Sequence, residues 1–190
     1  MTAVNKSLYR KEASVDMLDE ALRLIQGGTI SCVIIKDSAI VHTADGRGVS
    51  PLLNILDQEP DKLKDAFVVD KIIGKAAAMV LVLGGASRVY GLVMSVSGQE
   101  YLESRGVITE YGQCVDAISN RDNTGVCPIE KSVIDIDDPQ EGKRVIGETM
   151  DRLKNIYKPY AYTNNSYGKQ SEDNIVNRVH TVTPNNNRPA

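Results

Sequence analysis

A chain of 190 residues with 42% hydrophobic and 25% charged side chains has room for one well-buried core, and its balance excludes fibrous and wholly disordered classes. Residues 1–137 carry 14 Lys+Arg against 19 Asp+Glu, and residues 138–190 carry 8 against 6. Neither part has the clustered positive footprint of a nucleic-acid binder, so no nucleic-acid partner is expected.

No run reaches the roughly 18 apolar residues of a membrane span, and residues 1–11 show no apolar signal-peptide core. Cys32, Cys114 and Cys127 are odd in number and widely spaced, a poor disulfide framework that suits a reducing compartment. The reading is a cytoplasmic chain without membrane attachment. Trp is absent and there is one Phe, so aliphatic side chains must build the core.

Ser14 is placed to cap a helix in which Val15, Leu18, Leu22 and Ile25 recur at steps of three and four, stopped by Gly27-Gly28. Ile30 to Lys36 and Ala39 to Thr43 are rich in β-branched residues and read as a hairpin turned by Asp37-Ser38. Asp45-Gly46-Arg47-Gly48 forms a loop, and Ser50-Pro51 reads as the N-cap and first turn of a short helix ending before Pro60.

Ala66 to Val69 reads as a brief strand. Asp70 then caps a helix from Lys71 to Leu83, closed by Gly84-Gly85 and apolar on every face except at Lys75. Val89 to Ser95 is a strand, and Ser97-Gly98-Gln99-Glu100 fits a capping box for a helix that Gly106 ends. Val107 to Tyr111 is a further strand, Cys114 to Asn120 is ambiguous, and Cys127-Pro128 opens a helix to about Asp135.

Strands alternating with helices after a hairpin predict an α/β fold with a mixed sheet between helical layers. The domain is read as residues 11–137. An extension over 138–157 has the helical period Ile146, Met150, Leu153, Tyr157, and residues 158–190 read as a polar, disordered tail.

Three runs carry a resemblance. Gly46-Arg47-Gly48-Val49-Ser50-Pro51-Leu52, Asp70-Lys71-Ile72-Ile73-Gly74-Lys75-Ala76-Ala77-Ala78 and Cys127-Pro128-Ile129-Glu130-Lys131 resemble those of a small bacterial domain-of-unknown-function family with a cytidine-deaminase-like fold. The resemblance covers roughly Ser14 to Asp135 and implies a three-layer α/β/α fold, with no activity to carry over. Zinc deaminase chemistry needs a His or Cys two residues before a Glu at one helix start and Pro-Cys-x-x-Cys at the next. Gly74-Lys75-Ala76-Ala77 and Ser95-Val96-Ser97-Gly98 supply neither, so no metal ligands and no cofactor are assigned.

Lys75 is the first candidate, because a cation in the first turn opposes the helix dipole and Gly74 beside it weakens a helix interior. Functional sites collect such violations. The bland reading is a lysine that snorkels to solvent beside a glycine that allows close packing. Cys127, at a helix start with Lys131 one turn on, is a candidate nucleophile, or else a small buried hydrophobe. Glu130 is either its backbone cap partner or a nearby base and ligand contact. Arg47 and Gly48 could hold a phosphate or carboxylate at a helix N-terminus, or form an ordinary solvated turn. No spacing links His42 to Cys127 as a dyad.

The leading expectation is therefore a metal-independent pocket for a small, anionic ligand, built from Arg47, Gly48, Gly74, Lys75 and Glu130. The alternatives are an enzyme with Cys127 as nucleophile and Lys75 as electrostatic stabiliser or proton carrier, and a non-catalytic partner-binding domain. Oligomeric state is not legible. Elemental analysis of purified protein is expected to find no stoichiometric zinc, and one tightly held zinc per chain would overturn that expectation.

Overall fold

The computed structural model describes residues 17–161, with side chains to residue 156. Ser14 and the tail beyond residue 161 lie outside the described residues. The first helix, α1, covers residues 17–26. It is followed by β1 (Ile30–Lys36), β2 (Ala39–Asp45), α2 (Ser50–Gln58), a 3-10 turn (Pro60–Lys62), β3 (Phe67–Ile73) and α3 (Lys75–Gly84). Then come β4 (Arg88–Ser95), α4 (Val96–Ser104), β5 (Ile108–Val115), α5 (Pro128–Ser132) and α6 (Pro139–Ala161).

The five strands form one sheet in the order β2-β1-β3-β4-β5. β1 is antiparallel to both β2 and β3, while β3, β4 and β5 run parallel. The β1–β2 turn places both Asp37 (φ 50°) and Ser38 (φ 60°) in the left-handed region, the backbone that matches strand twist in two-residue hairpins.

Alternation along the strands splits the core in two. Cys32, Ile34, Val68 and Val89 face a layer containing α2, α3, α4 and Ile146 of α6. Val33, Ile35, Phe67 and Val69 face Ala21 and Ile25 of α1. A mixed sheet between helical layers, the three-layer α/β/α arrangement expected from the sequence, is what forms. Past Lys75, α3 is apolar on every face because its neighbours cover most of it. It packs against α2 and α4, and a Cβ on Gly142 of α6 would come within 2.5 Å of the Met79 sulfur.

Several local expectations are corrected. Asp70 does not cap a helix, because β3 continues to Ile73, with Ile72 and Ile73 paired to Val93 and Met94. Sheet pairing wins over the helical pattern at these two β-branched residues. Val49 rather than Ser50 is the N-cap of α2. Ser95, not Ser97, caps α4, accepting the Gly98 N–H at 3.1 Å. The strand begun near Val107 runs on to Val115, α5 stops at Ser132, and the helix of the extension has 23 residues. No helix of the described residues is long and apolar enough to cross a membrane.

Asp70 is instead a buried carboxyl in mid-sheet, 4% exposed and paired in register with Cys32. Its Oδ1 accepts the Ile72 N–H at 2.9 Å. Burial pushes its pKa up to about 7, partly offset by that hydrogen bond. The Cys32 thiol is pushed up as well, by burial first and then by the Asp70 carboxylate. A folded pKa above the unfolded value means that folding takes up a proton. The contribution of Asp70 is therefore complete below about pH 4 and is lost as pH rises towards about 7. Asp70→Asn, which keeps the acceptor for Ile72, is expected to flatten the fall in stability across this window. Urea denaturation at several pH values checks it, and an unchanged slope in the variant would refute the assignment.

Candidate functional site

β3 and β4 each run straight into a helix, with Gly74 as the N-cap of α3 and Ser95 as the N-cap of α4. The two helix starts lie against each other: a Cβ on Gly98 would come within 3.0 Å of the Gly74 carbonyl carbon and 3.1 Å of the Ile73 oxygen. Helix N-termini at the carboxyl ends of parallel strands are where α/β proteins commonly receive anions.

Here the anion is the chain's own. Glu130 of α5 is 3% exposed and enters this junction. Its Oε1 accepts the Ser95 hydroxyl, the Ser97 hydroxyl at 3.0 Å and the Lys75 N–H at 3.3 Å. Its Oε2 accepts the Ile118 N–H at 2.7 Å. Four donors from three segments thus surround one carboxylate. Gly74 is needed for space, since a Cβ there would stand 3.0 Å from the Glu130 carboxyl carbon.

Lys75 is the first residue of α3. Its ammonium donates to the Ile134 carbonyl and lies 5.6 Å from the centre of the Tyr101 ring. The Arg105 guanidinium lies 5.1 Å from the same ring, and the Tyr101 hydroxyl donates to the Asp137 carbonyl at 2.8 Å. Burial raises the Tyr101 phenol pKa, so it stays a neutral donor. Beside this cluster is a concavity of about 300 Å³ lined by Lys75, Ser97, Glu100, Tyr101, Ser104 and Ile134.

The structure therefore regroups the residues singled out in the sequence. Gly74 does not weaken a helix interior, because it is an extended N-cap, a position that tolerates glycine. Glu130 does not cap the Cys127 backbone, whose N–H donates to the Ile118 carbonyl at 2.7 Å. Cys127 is the half-buried N-cap of a five-residue helix and is not among the lining residues. Arg47 is exposed, between Gly46 and Gly48 at φ 129° and 60°, and it too is absent from the lining. His42 meets Lys62, Nδ1 to Nζ 2.8 Å. Sequence reasoning missed Ser95, Ser97 and Tyr101; the Ser-Val-Ser-Gly run at the end of a strand was the available signal. Among the described residues no three His, Cys, Asp or Glu side chains are grouped to hold a metal ion.

Fold and site together define a three-layer α/β domain whose strand-end anion position is filled by an internal carboxylate. The chain belongs to the TM1506 family, a domain of unknown function (DUF1893), whose profile matches residues 20–150. This agrees in kind with the resemblance carried by the three sequence runs. A DUF1893 family protein from Thermotoga maritima has a similar structure, with TM-score 0.64 and 23% identity over 70% of this chain and 89% of that one. A dCMP deaminase from the cyanophage S-TIM5, in apo form, overlaps with TM-score 0.36 and 13% identity over 58% of this chain and 99% of the deaminase. The likeness in fold rests on the Thermotoga protein. No curated protein matches the chain significantly.

Glu130→Gln is expected to destabilise the fold by about 3 kcal/mol, because the new amide turns N–H groups towards donors that need an acceptor. Gly74→Ala should also destabilise by pushing against the same carboxylate. Equilibrium denaturation measures both, and a Glu130→Gln change within about 0.5 kcal/mol, the range of ordinary surface substitutions, would show that the cluster is dispensable.

Proposed function

We propose that this domain binds a small ligand carrying an anionic group, seated in the concavity beside the starts of α3 and α4. The observation that carries this reading is the Lys75 ammonium on the wall of the cavity, beside the hydroxyl-bearing residues Ser97 and Ser104. Among the described residues one of its three donors has a hydrogen-bonded partner, the Ile134 carbonyl. Glu100 in the same wall favours a ligand that also presents a hydrogen-bond donor. Gly74 and Glu130 act behind this surface, by fixing the helix starts, rather than as ligand contacts.

The alternative of a metal-independent enzyme with Cys127 as nucleophile has weaker support. Cys127 is not on the wall that carries Lys75, and His42 is engaged by Lys62.

Lys75→Met keeps most of the stem volume and removes the charge. Its expected effect on ligand-free protein is a loss of up to about 1 kcal/mol, from the Ile134 carbonyl and the Tyr101 ring losing their cation. Its expected effect on binding is about tenfold weaker affinity for an anionic ligand, the order of one charge-assisted hydrogen bond. Calorimetric titration with inorganic phosphate, nucleoside monophosphates and dicarboxylates, on both proteins, checks this. Equal affinity in the two proteins for a compound that binds would refute the site.

A further inference from the structure

We infer that β5 is a self-association edge, through which two copies of this chain join their sheets antiparallel. The two edges of the sheet differ in how they are guarded. β2 pairs with β1 through two register shifts, Lys62 of the adjoining 3-10 turn reaches His42 on it, and Lys36 ties that turn to the end of β1 through the Asp61 carbonyl. Irregular pairing and covering groups of this kind keep an edge from recruiting another strand. β5 has eight residues, Ile-Thr-Glu-Tyr-Gly-Gln-Cys-Val, with no Pro, Lys or Arg, and its pairing with β4 shows no register shift. Ile108 and Tyr111 are 61% and 42% exposed among the described residues, apolar groups on an edge of the kind that seeks a partner strand.

The backbone direction fixes which groups are offered. The Ile108 N–H donates to the Ser87 carbonyl, so Ile108 faces β4, and by alternation Thr109 and Tyr111 turn their N–H and C=O groups outward.

Self-complementarity favours a second copy as the occupant. The one charged residue on the strand is Glu110, and Arg88 neutralises it from within, with contacts of 2.8 and 2.9 Å from Nη2 to the two carboxylate oxygens. The edge therefore presents neither a positive nor a negative field to attract an oppositely charged strand. It is, however, compatible with itself. An antiparallel pairing with its two-fold axis at Tyr111 sets Thr109 against Gln113, Glu110 against Gly112 and Ile108 against Cys114 of the second copy. Residues 108–114 are used, and no like charges stand directly opposite; the two Glu110 lie diagonally, each beside its own Arg88. The net charge of −3 leaves little long-range repulsion between copies.

The test is the mass in solution of the full 190-residue chain, measured by light scattering and sedimentation from micromolar to millimolar concentration. The wild-type protein is expected at about twice the chain mass of 20.7 kDa. Thr109→Pro removes an outward N–H without touching the β4 ladder, and Tyr111→Lys sets two cations face to face at the axis. Both are expected to give the single-chain mass with an unchanged circular dichroism spectrum. Tyr111→Lys keeps the test decisive if the proline variant does not fold. Hydrogen exchange at the Thr109 and Tyr111 amides should be slower in wild type than in Tyr111→Lys by on the order of tenfold or more. A wild-type protein that stays monomeric over the whole range, or a folded Tyr111→Lys variant that stays dimeric, would overturn the inference.

Discussion

The carboxylate of Glu130 is the constraint around which this end of the molecule is organised. Taking an ion of that size out of water costs several kcal/mol, and the cost is met only where every lone pair has a donor. Here the donors come from α3, α4 and the segment after β5. One side chain thus sets the spacing of two helix starts, anchors Ile118 and holds α5 in place. The requirement runs back into composition. Gly74 must lack a side chain to admit the carboxylate, and Gly98 must lack one to let α4 lie against Gly74. The same carboxylate offsets the dipole at the start of α3, which makes a lysine there tolerable.

That lysine is then turned away from the amides and into the next layer of contacts. Its ammonium reaches the Ile134 carbonyl and the Tyr101 ring, while Arg105 approaches that ring and bonds Asp137. The segment after α5 is therefore held twice, by Glu130 at the helix and by Lys75, Tyr101 and Arg105 beyond it. None of the buried side-chain polar atoms among the described residues lacks a partner. A fully satisfied polar cluster fixes one arrangement of segments where apolar packing alone would allow several.

The architecture was legible because it depends on short-range signals. β-branched runs separated by turn residues gave the hairpin, and helical periods between strands gave the alternation that specifies a layered α/β domain. The boundary at Asp70–Gly74 was misread because Ile72 and Ile73 fit a helical period as well as a strand, and only their pairing with Val93 and Met94 decides between the two. The candidate site was legible by position rather than by role. Lys75 and Glu130 were both singled out, yet their relation spans 55 residues of sequence, and no local pattern records that a carboxylate on a five-residue helix closes a junction between two others. The apparent violation at Gly74 was a consequence of the misplaced boundary.

Filling the strand-end position from within changes what recognition can look like. In α/β proteins that bind anions at such places, backbone N–H groups do much of the binding, and they discriminate little among phosphates and carboxylates. Here the Lys75 N–H is already committed to Glu130, and the Ser95 hydroxyl serves both Glu130 and the Gly98 N–H. A ligand bound in the adjoining concavity, as proposed above, would meet side chains instead: an ammonium, hydroxyls and the Glu100 carboxylate. Such groups reject as well as attract, because an anion placed near Glu100 without a donor to offer it is repelled. On the proposed reading, selectivity would fall to the spacing between Lys75 and Glu100, on the two helices whose starts Glu130 ties together.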